Sequence, residues 1–138
     1  MGVFQGAGYP SPSFHDKGGH RMLFNLKKAV VDINQSEAAL NFSRYLKSYI
    51  TTYMDHRYKS LVFLCIGTDR STGDSLGPII GYKLRQHLNY KDILVYGTLE
   101  EPVHAKNLTS KMMEISLSCT NPFIVAIDAC LGYAKNIG

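Results

Sequence analysis

The sequence predicts an α/β protein built on a mainly parallel sheet. Three observations carry this. The apolar runs Leu61–Ile66, Ile93–Tyr96 and Phe123–Ile127 have the length and composition of buried strands. The first two are followed by stretches with helical character. The segments richest in glycine and polar side chains fall directly after the runs, where open α/β sheets bind ligands and do chemistry. Strands alternating with helices imply right-handed crossovers, with helices covering the sheet.

Residues 1–20 are rich in Gly, Pro, Ser and His without apolar periodicity, and read as a flexible tail ahead of a single α/β domain over 21–138. His15 and His20 fall in this tail and are not read as metal ligands. Ala38, Phe42, Tyr45, Leu46, Tyr49, Ile50 and Tyr53 share one helical face, which predicts a helix over 35–56. Asn34 and Glu37 have the spacing of a capping box at its start. Leu61–Ile66 is the first predicted strand, Leu76–Leu88 the helix after it, and Ile93–Tyr96 the second strand. A helix near 105–118 leads to the third strand, Phe123–Ile127, which Asn121-Pro122 bounds. Gly77 and Gly81 lie one helical turn apart, a spacing suited to close helix–sheet packing. Three strands are few for this architecture, which predicts further sequence beyond Gly138. An incomplete sheet would expose apolar edges, so self-association into a homo-oligomer is an expectation too.

Composition excludes several classes. The net charge of +4 is mild, and Lys27-Lys28 is the sole adjacent basic pair, so neither nucleic acid nor a membrane surface is an expected partner. No apolar run approaches the roughly 18 residues of a membrane span. The amino terminus lacks the pattern of a secretory signal. Cys65, Cys119 and Cys130 show no Cys-x-x-Cys spacing, which favours reduced thiols in a cytoplasmic compartment.

If the strands are parallel, Gly67–Pro78, Gly97–His104 and Asp128–Gly132 converge on one edge of the sheet. That edge would gather Asp69, Asp74, Glu100, Glu101, His104, Asp128 and Cys130, a set suited to acid–base or metal chemistry. Asp128 ends an apolar run, where a carboxylate is paired, hydrogen-bonded or functional; the structural alternative is a cap of the next turn. Asp74 suits either chemistry or the N-cap of the helix beginning at Ser75–Pro78. Asp69 and Arg70 could form a local ion pair, Glu100 and Glu101 solvated charges, and His104 a helix cap. Cys130 could pair with His104 as a thiolate or sit inert, whereas Cys65 belongs to the core. Gly67 and Gly73 could turn backbone N–H groups toward an anion. The loop, however, is neither a Walker A nor a G-x-G-x-x-G sequence.

Three motifs in order, CIGTDRSTGDSLGP from Cys65, YGTLEEPVHAKNL from Tyr96 and FIVAIDACLG from Phe123, closely resemble the YyaC-type sporulation proteins of endospore-forming bacteria. The resemblance covers about 60–138. That family resembles the germination protease, which degrades small acid-soluble spore proteins, and more remotely the hydrogenase maturation endopeptidases. The resemblance implies a three-layer α/β/α fold of the phosphorylase/hydrolase-like type. It also implies an aspartate-dependent peptidase of the sporulating cell or forespore, acting on a protein or peptide substrate. In the germination protease one Asp precedes Leu-Gly-Pro closely and a second lies in an Ile-Asp-Ala context. The matching positions here are Asp74, before Ser75-Leu76-Gly77-Pro78, and Asp128, between Ile127 and Ala129.

The implied chemistry needs one ionised Asp to take a proton from water and one protonated Asp to hydrogen-bond the scissile carbonyl. Asp69, Arg70, Ser71, Thr72, Glu100, Glu101 and His104 are the expected supporting set, with Arg70 or loop N–H groups at the oxyanion. No cofactor and no metal ligand are assigned. In the maturation endopeptidases a nickel-binding His follows the second acidic position, and no His follows His104 in this chain. The alternative is a non-enzymatic sporulation factor that uses the polar edge for binding. A weaker alternative is a metal-binding peptidase of the maturation type.

Overall fold

The computed structural model describes residues 29–68, 70 and 73–129. The expected tail over 1–20, with His15 and His20, and also Asp69, Ser71, Thr72 and Cys130 lie outside the described residues. The chain divides into two compact units, Met1–Asp55 and His56–Gly138.

In the first unit one helix, α1, spans Ala38–Tyr53. It starts three residues later than its apolar stripe predicts, and the capping box is not formed. Asn34 instead turns back on Asp32, whose Oδ1 accepts from both the Asn34 main-chain N–H and its Nδ2. An Asx interaction two residues long thus competes with the cap and wins. The helix ends at Tyr53, three residues before the expected limit, with the Met54 N–H bonded to the Ile50 carbonyl. Tyr49 and Tyr53, one turn apart, stack with ring centroids 6.0 Å apart.

The second unit is an α/β protein whose three strands are all parallel. β1 spans Ser60–Ile66, α2 Leu76–His87, β2 Ile93–Tyr96, α3 Leu108–Ser118 and β3 Pro122–Asp128. With α1, the described chain has three helices. The strand order is β2-β1-β3. Registers run from Leu61↔Ile93 to Leu64↔Tyr96 on one side of β1, and from Ser60↔Pro122 to Ile66↔Asp128 on the other. The central strand is buried on both faces, which is why Leu61–Cys65 reads as an unbroken apolar run.

The two crossovers step in opposite directions across the sheet. Of the same hand, they place their helices on opposite faces. The contacts agree. Val62 and Leu64 cluster with Val103, with Ile115 of α3 and with Cys119 just beyond its end, whereas Cys65, on the other face by alternation, lies against Gly81 of α2. Gly77 and Gly81 make the close approach their spacing suggests. A Cβ at Gly77 would fall on the Ile66 carbonyl, and one at Gly81 on the Gly97 carbonyl.

Asn121 takes a left-handed conformation (φ 45°) and its carbonyl accepts from the Lys59 N–H, so the chain turns sharply into Pro122. Asn is among the few side chains that adopt this geometry readily. Tyr58 meets Phe123 edge-on at 5.1 Å and closes that end of the sheet.

Cys65 is fully buried, and burial pushes its thiol up to about 11 from 9.0. An unfolded chain releases this proton first, so the stability tied to the neutral thiol is complete below about 9 and is lost as pH rises through about 11. Urea titrations should show a midpoint that declines across that interval, and a decline less steep in Cys65→Ala. An identical profile in the variant would assign the loss to other groups.

Candidate functional site at the carboxyl edge of the sheet

The end of β1 organises the site. Ile66 is flanked on one side by Asp128, its register partner on β3, and on the other by Val103, which bridges it in parallel fashion. The Gly67 N–H donates to the Val103 carbonyl at 2.8 Å, and the Thr68 N–H donates to the Asp74 carbonyl at 3.0 Å. The loops after β1 and β2 are therefore both fastened to the first residues beyond β1, with the end of β3 alongside. Gly67 is required at this crossing, because a Cβ there would fall on the Asp74 carbonyl and crowd Pro78.

Asp74 is half-buried, and its backbone closes the loop from Thr68. It is not the N-cap of α2. Ser75 holds that position, in a helical conformation and with no side-chain capping bond. Asp74 therefore lies one residue before the N-cap of α2, which begins at Leu76. Asp128 is exposed and ends β3 on the sheet face that carries Val62, Leu64 and Ile66. No described residue hydrogen-bonds or ion-pairs with either carboxylate.

The loop after β2 is built by residues that the pattern of the sequence does not mark. Thr98 is 0% exposed, its N–H donates to the Glu101 carbonyl, and its Oγ1 accepts from the Glu101 N–H, each at 3.2 Å. Val103 is likewise fully buried. Asn107 clamps the loop from the far side. Its Oδ1 accepts from the His104 N–H at 2.8 Å and its Nδ2 donates to the Pro102 carbonyl at 3.0 Å. The His104 carbonyl accepts from the Asn107 and Leu108 N–H groups, so α3 starts at Leu108 rather than near 105.

His104 itself follows Val103 directly and is half-buried on the β2 side of Gly67. Glu101 turns away from this cluster to Arg85 of α2, with Nη2 and Oε2 3.6 Å apart. Glu100 and Arg70 are exposed. The structure thus brings Asp74, His104 and Asp128 to one edge and directs Glu101 to α2. Among the described residues, no three His, Cys, Asp or Glu side chains lie close enough to hold a metal ion. No helix among them is long and apolar enough to cross a membrane.

Thr98 offers a direct check. Thr98→Val keeps the shape but removes the acceptor of the part-buried bond from the Glu101 N–H, and should cost about 0.5–1.5 kcal/mol in urea unfolding. Thr98→Ser retains the oxygen and should recover most of that loss. A loss in Thr98→Val no larger than that in Thr98→Ser would mean that the hydroxyl bond adds nothing to stability.

The parallel sheet with polar loops gathered at its carboxyl edge defines an α/β protein of the kind that places its reactive or binding groups beyond strand ends. The chain belongs to the family described as "Protein of unknown function (DUF1256)", whose model matches residues 30–138. It is 54% identical over 80 residues to the "Uncharacterized protein YyaC" of Bacillus subtilis (strain 168). That match covers 58% of this chain and 38% of the relative, so the chain spans well under half the length of the relative it matches. No solved structure matches the chain.

Proposed function

We propose that the protein is a peptidase-like hydrolase of sporulating cells in which Asp74 and Asp128 act as a carboxylate pair on a protein substrate. The family description and the relative's name give no activity. The reading rests on the likeness of the two Asp contexts to those of the germination protease. The observation that carries it furthest is positional. Asp128 lies beside the last residue of β1, and the Asp74 backbone is bonded two residues further along the same chain end. The fold it calls for is the three-layer α/β/α, phosphorylase/hydrolase-like sandwich, located in the cytoplasm of the sporulating cell or forespore.

In this reading the ionised carboxylate takes a proton from water as the water oxygen bonds to the scissile carbonyl carbon. The protonated carboxyl gives its hydrogen bond, and then its proton, to the carbonyl oxygen. Collapse of the tetrahedral species re-forms the carbonyl, breaks the C–N bond and sends a proton to the leaving nitrogen. Arg70, exposed on the same loop, and the loop N–H groups are the candidates to offset negative charge on the oxygen. His104 borders the pair from the β2 side and is suited to orient a water or a substrate carbonyl.

Incubation with a small acid-soluble spore protein, followed by mass analysis, should give a few internal fragments with new amino termini. A substrate that stays intact beside folded protein would return the polar edge to a binding role.

A further inference from the structure

Among the described residues β2 is an edge strand, and that edge carries an inference that rests on the peptidase reading for its meaning. A groove of about 450 Å³ runs along this edge, lined by β2 and Gly97, by Arg85 of α2, and by Lys111 and Glu114 of α3. Main-chain polarity decides what the groove offers. Successive residues of a strand point their N–H and C=O groups alternately to the two sides. The Asp92 carbonyl accepts from the Leu61 N–H of β1 at 2.8 Å, so Asp92, Leu94 and Tyr96 address β1 while Ile93 and Val95 face outward. Two of the four outward groups are taken. The Ile93 N–H donates to the Tyr90 carbonyl at 3.1 Å, and the Val95 carbonyl accepts from Arg85 Nη2 at 3.2 Å.

The Ile93 carbonyl and the Val95 N–H remain, and no described residue bonds either of them. They flank Leu94, which is how one parallel strand holds a residue of its neighbour. That residue donates its N–H to the Ile93 carbonyl and accepts from the Val95 N–H through its own carbonyl. An antiparallel neighbour would need both groups of one residue, and at Val95 the carbonyl is held by Arg85.

We propose that this edge is the docking track for an extended segment of the substrate, added as a fourth strand parallel to β2. An added parallel strand runs past Gly97 and Glu101 toward the end of the sheet that holds His104 and Asp74. At about 3.3 Å per residue, β2 accommodates roughly four residues of such a segment. The shortness of β2 and the Arg85 guanidinium keep the edge from pairing indiscriminately.

The test uses the ¹⁵N-labelled Asp128→Asn variant, titrated with an acetylated, amidated hexapeptide of alternating threonine and valine. The same peptide, N-methylated at its central amides, is the control. The hexapeptide should move the Val95 amide downfield, and the methylated peptide should not. A spin label at the peptide's carboxyl end should broaden Glu101, and one at its amino end Lys91. An unmoved Val95 amide at the highest soluble concentration, an equal response to the methylated peptide, or the reverse broadening would overturn the proposal. So would a Val95 shift that tracks protein concentration without peptide, which identifies a second copy as the occupant. Cleavage by the parent protein with Val95 unperturbed leaves the peptidase reading standing and removes the track. A shifted Val95 without cleavage does the reverse.

Discussion

Ile115→Ala should destabilise the α/β unit by about 2–5 kcal/mol, while Leu117→Ala, two residues along the same helix, should change stability by less than about 0.5 kcal/mol. Ile115 is 0% exposed and packs with Val62, Leu64, Val103 and Cys119, whereas Leu117 is 87% exposed. Truncating Ile115 removes apolar area and leaves a hole in a close-packed layer that cannot fully collapse. Against a total of roughly 5–15 kcal/mol for a typical domain, that loss moves the urea midpoint by a large fraction of its value. Equal, small effects at both positions would mean that α3 does not close this face of the sheet.

The central strand was legible because burial on both faces leaves a mark that needs no partner to interpret: Leu61–Cys65 is apolar without interruption. The helix starts were less legible. Asn34 and Asn107 both carry side chains that capping statistics favour, yet each is drawn to a different local partner. Asn34 bonds Asp32 and α1 begins only at Ala38, whereas Asn107 does hold the N-cap position of α3 but spends its side chain on the His104 N–H and the Pro102 carbonyl. The choice between partners a few residues apart depends on backbone geometry that the sequence does not state.

The second large effect concerns the two carboxylates. Asp74→Asn and Asp128→Asn should each lower kcat/KM for protein cleavage by on the order of 10⁴-fold, the scale on which a single acidic member of a catalytic set matters. Stability should stay within about 0.5 kcal/mol for Asp128→Asn, because Asp128 is exposed at a strand end and no described residue bonds its carboxylate. Activity and folding are thereby separable at this position.

How much of the site could be read beforehand follows the same division. Asp128 stood out because a carboxylate ending an apolar run needs a reason, and Asp74 because it lies in the polar loop after β1 just before Leu76-Gly77-Pro78. Thr98 and Val103 did not. A threonine after a glycine and a valine in a polar loop carry no mark of burial, and their roles appear only when Val103 is set beside Ile66 and Thr98 closes on Glu101. Glu101 shows the opposite failure. Its type and position suggested the site, and a guanidinium on α2, sixteen residues earlier in the chain, took it elsewhere.

The most direct test of the central claim is a side-by-side measurement of kcat/KM on a small acid-soluble spore protein for the parent, Asp74→Asn and Asp128→Asn, each with its urea midpoint recorded. The aspartate-pair account predicts cleavage by the parent and none detectable by either variant, with the Asp128→Asn midpoint unchanged. Cleavage that persists in both folded variants, or a folded parent that never cleaves, would contradict it.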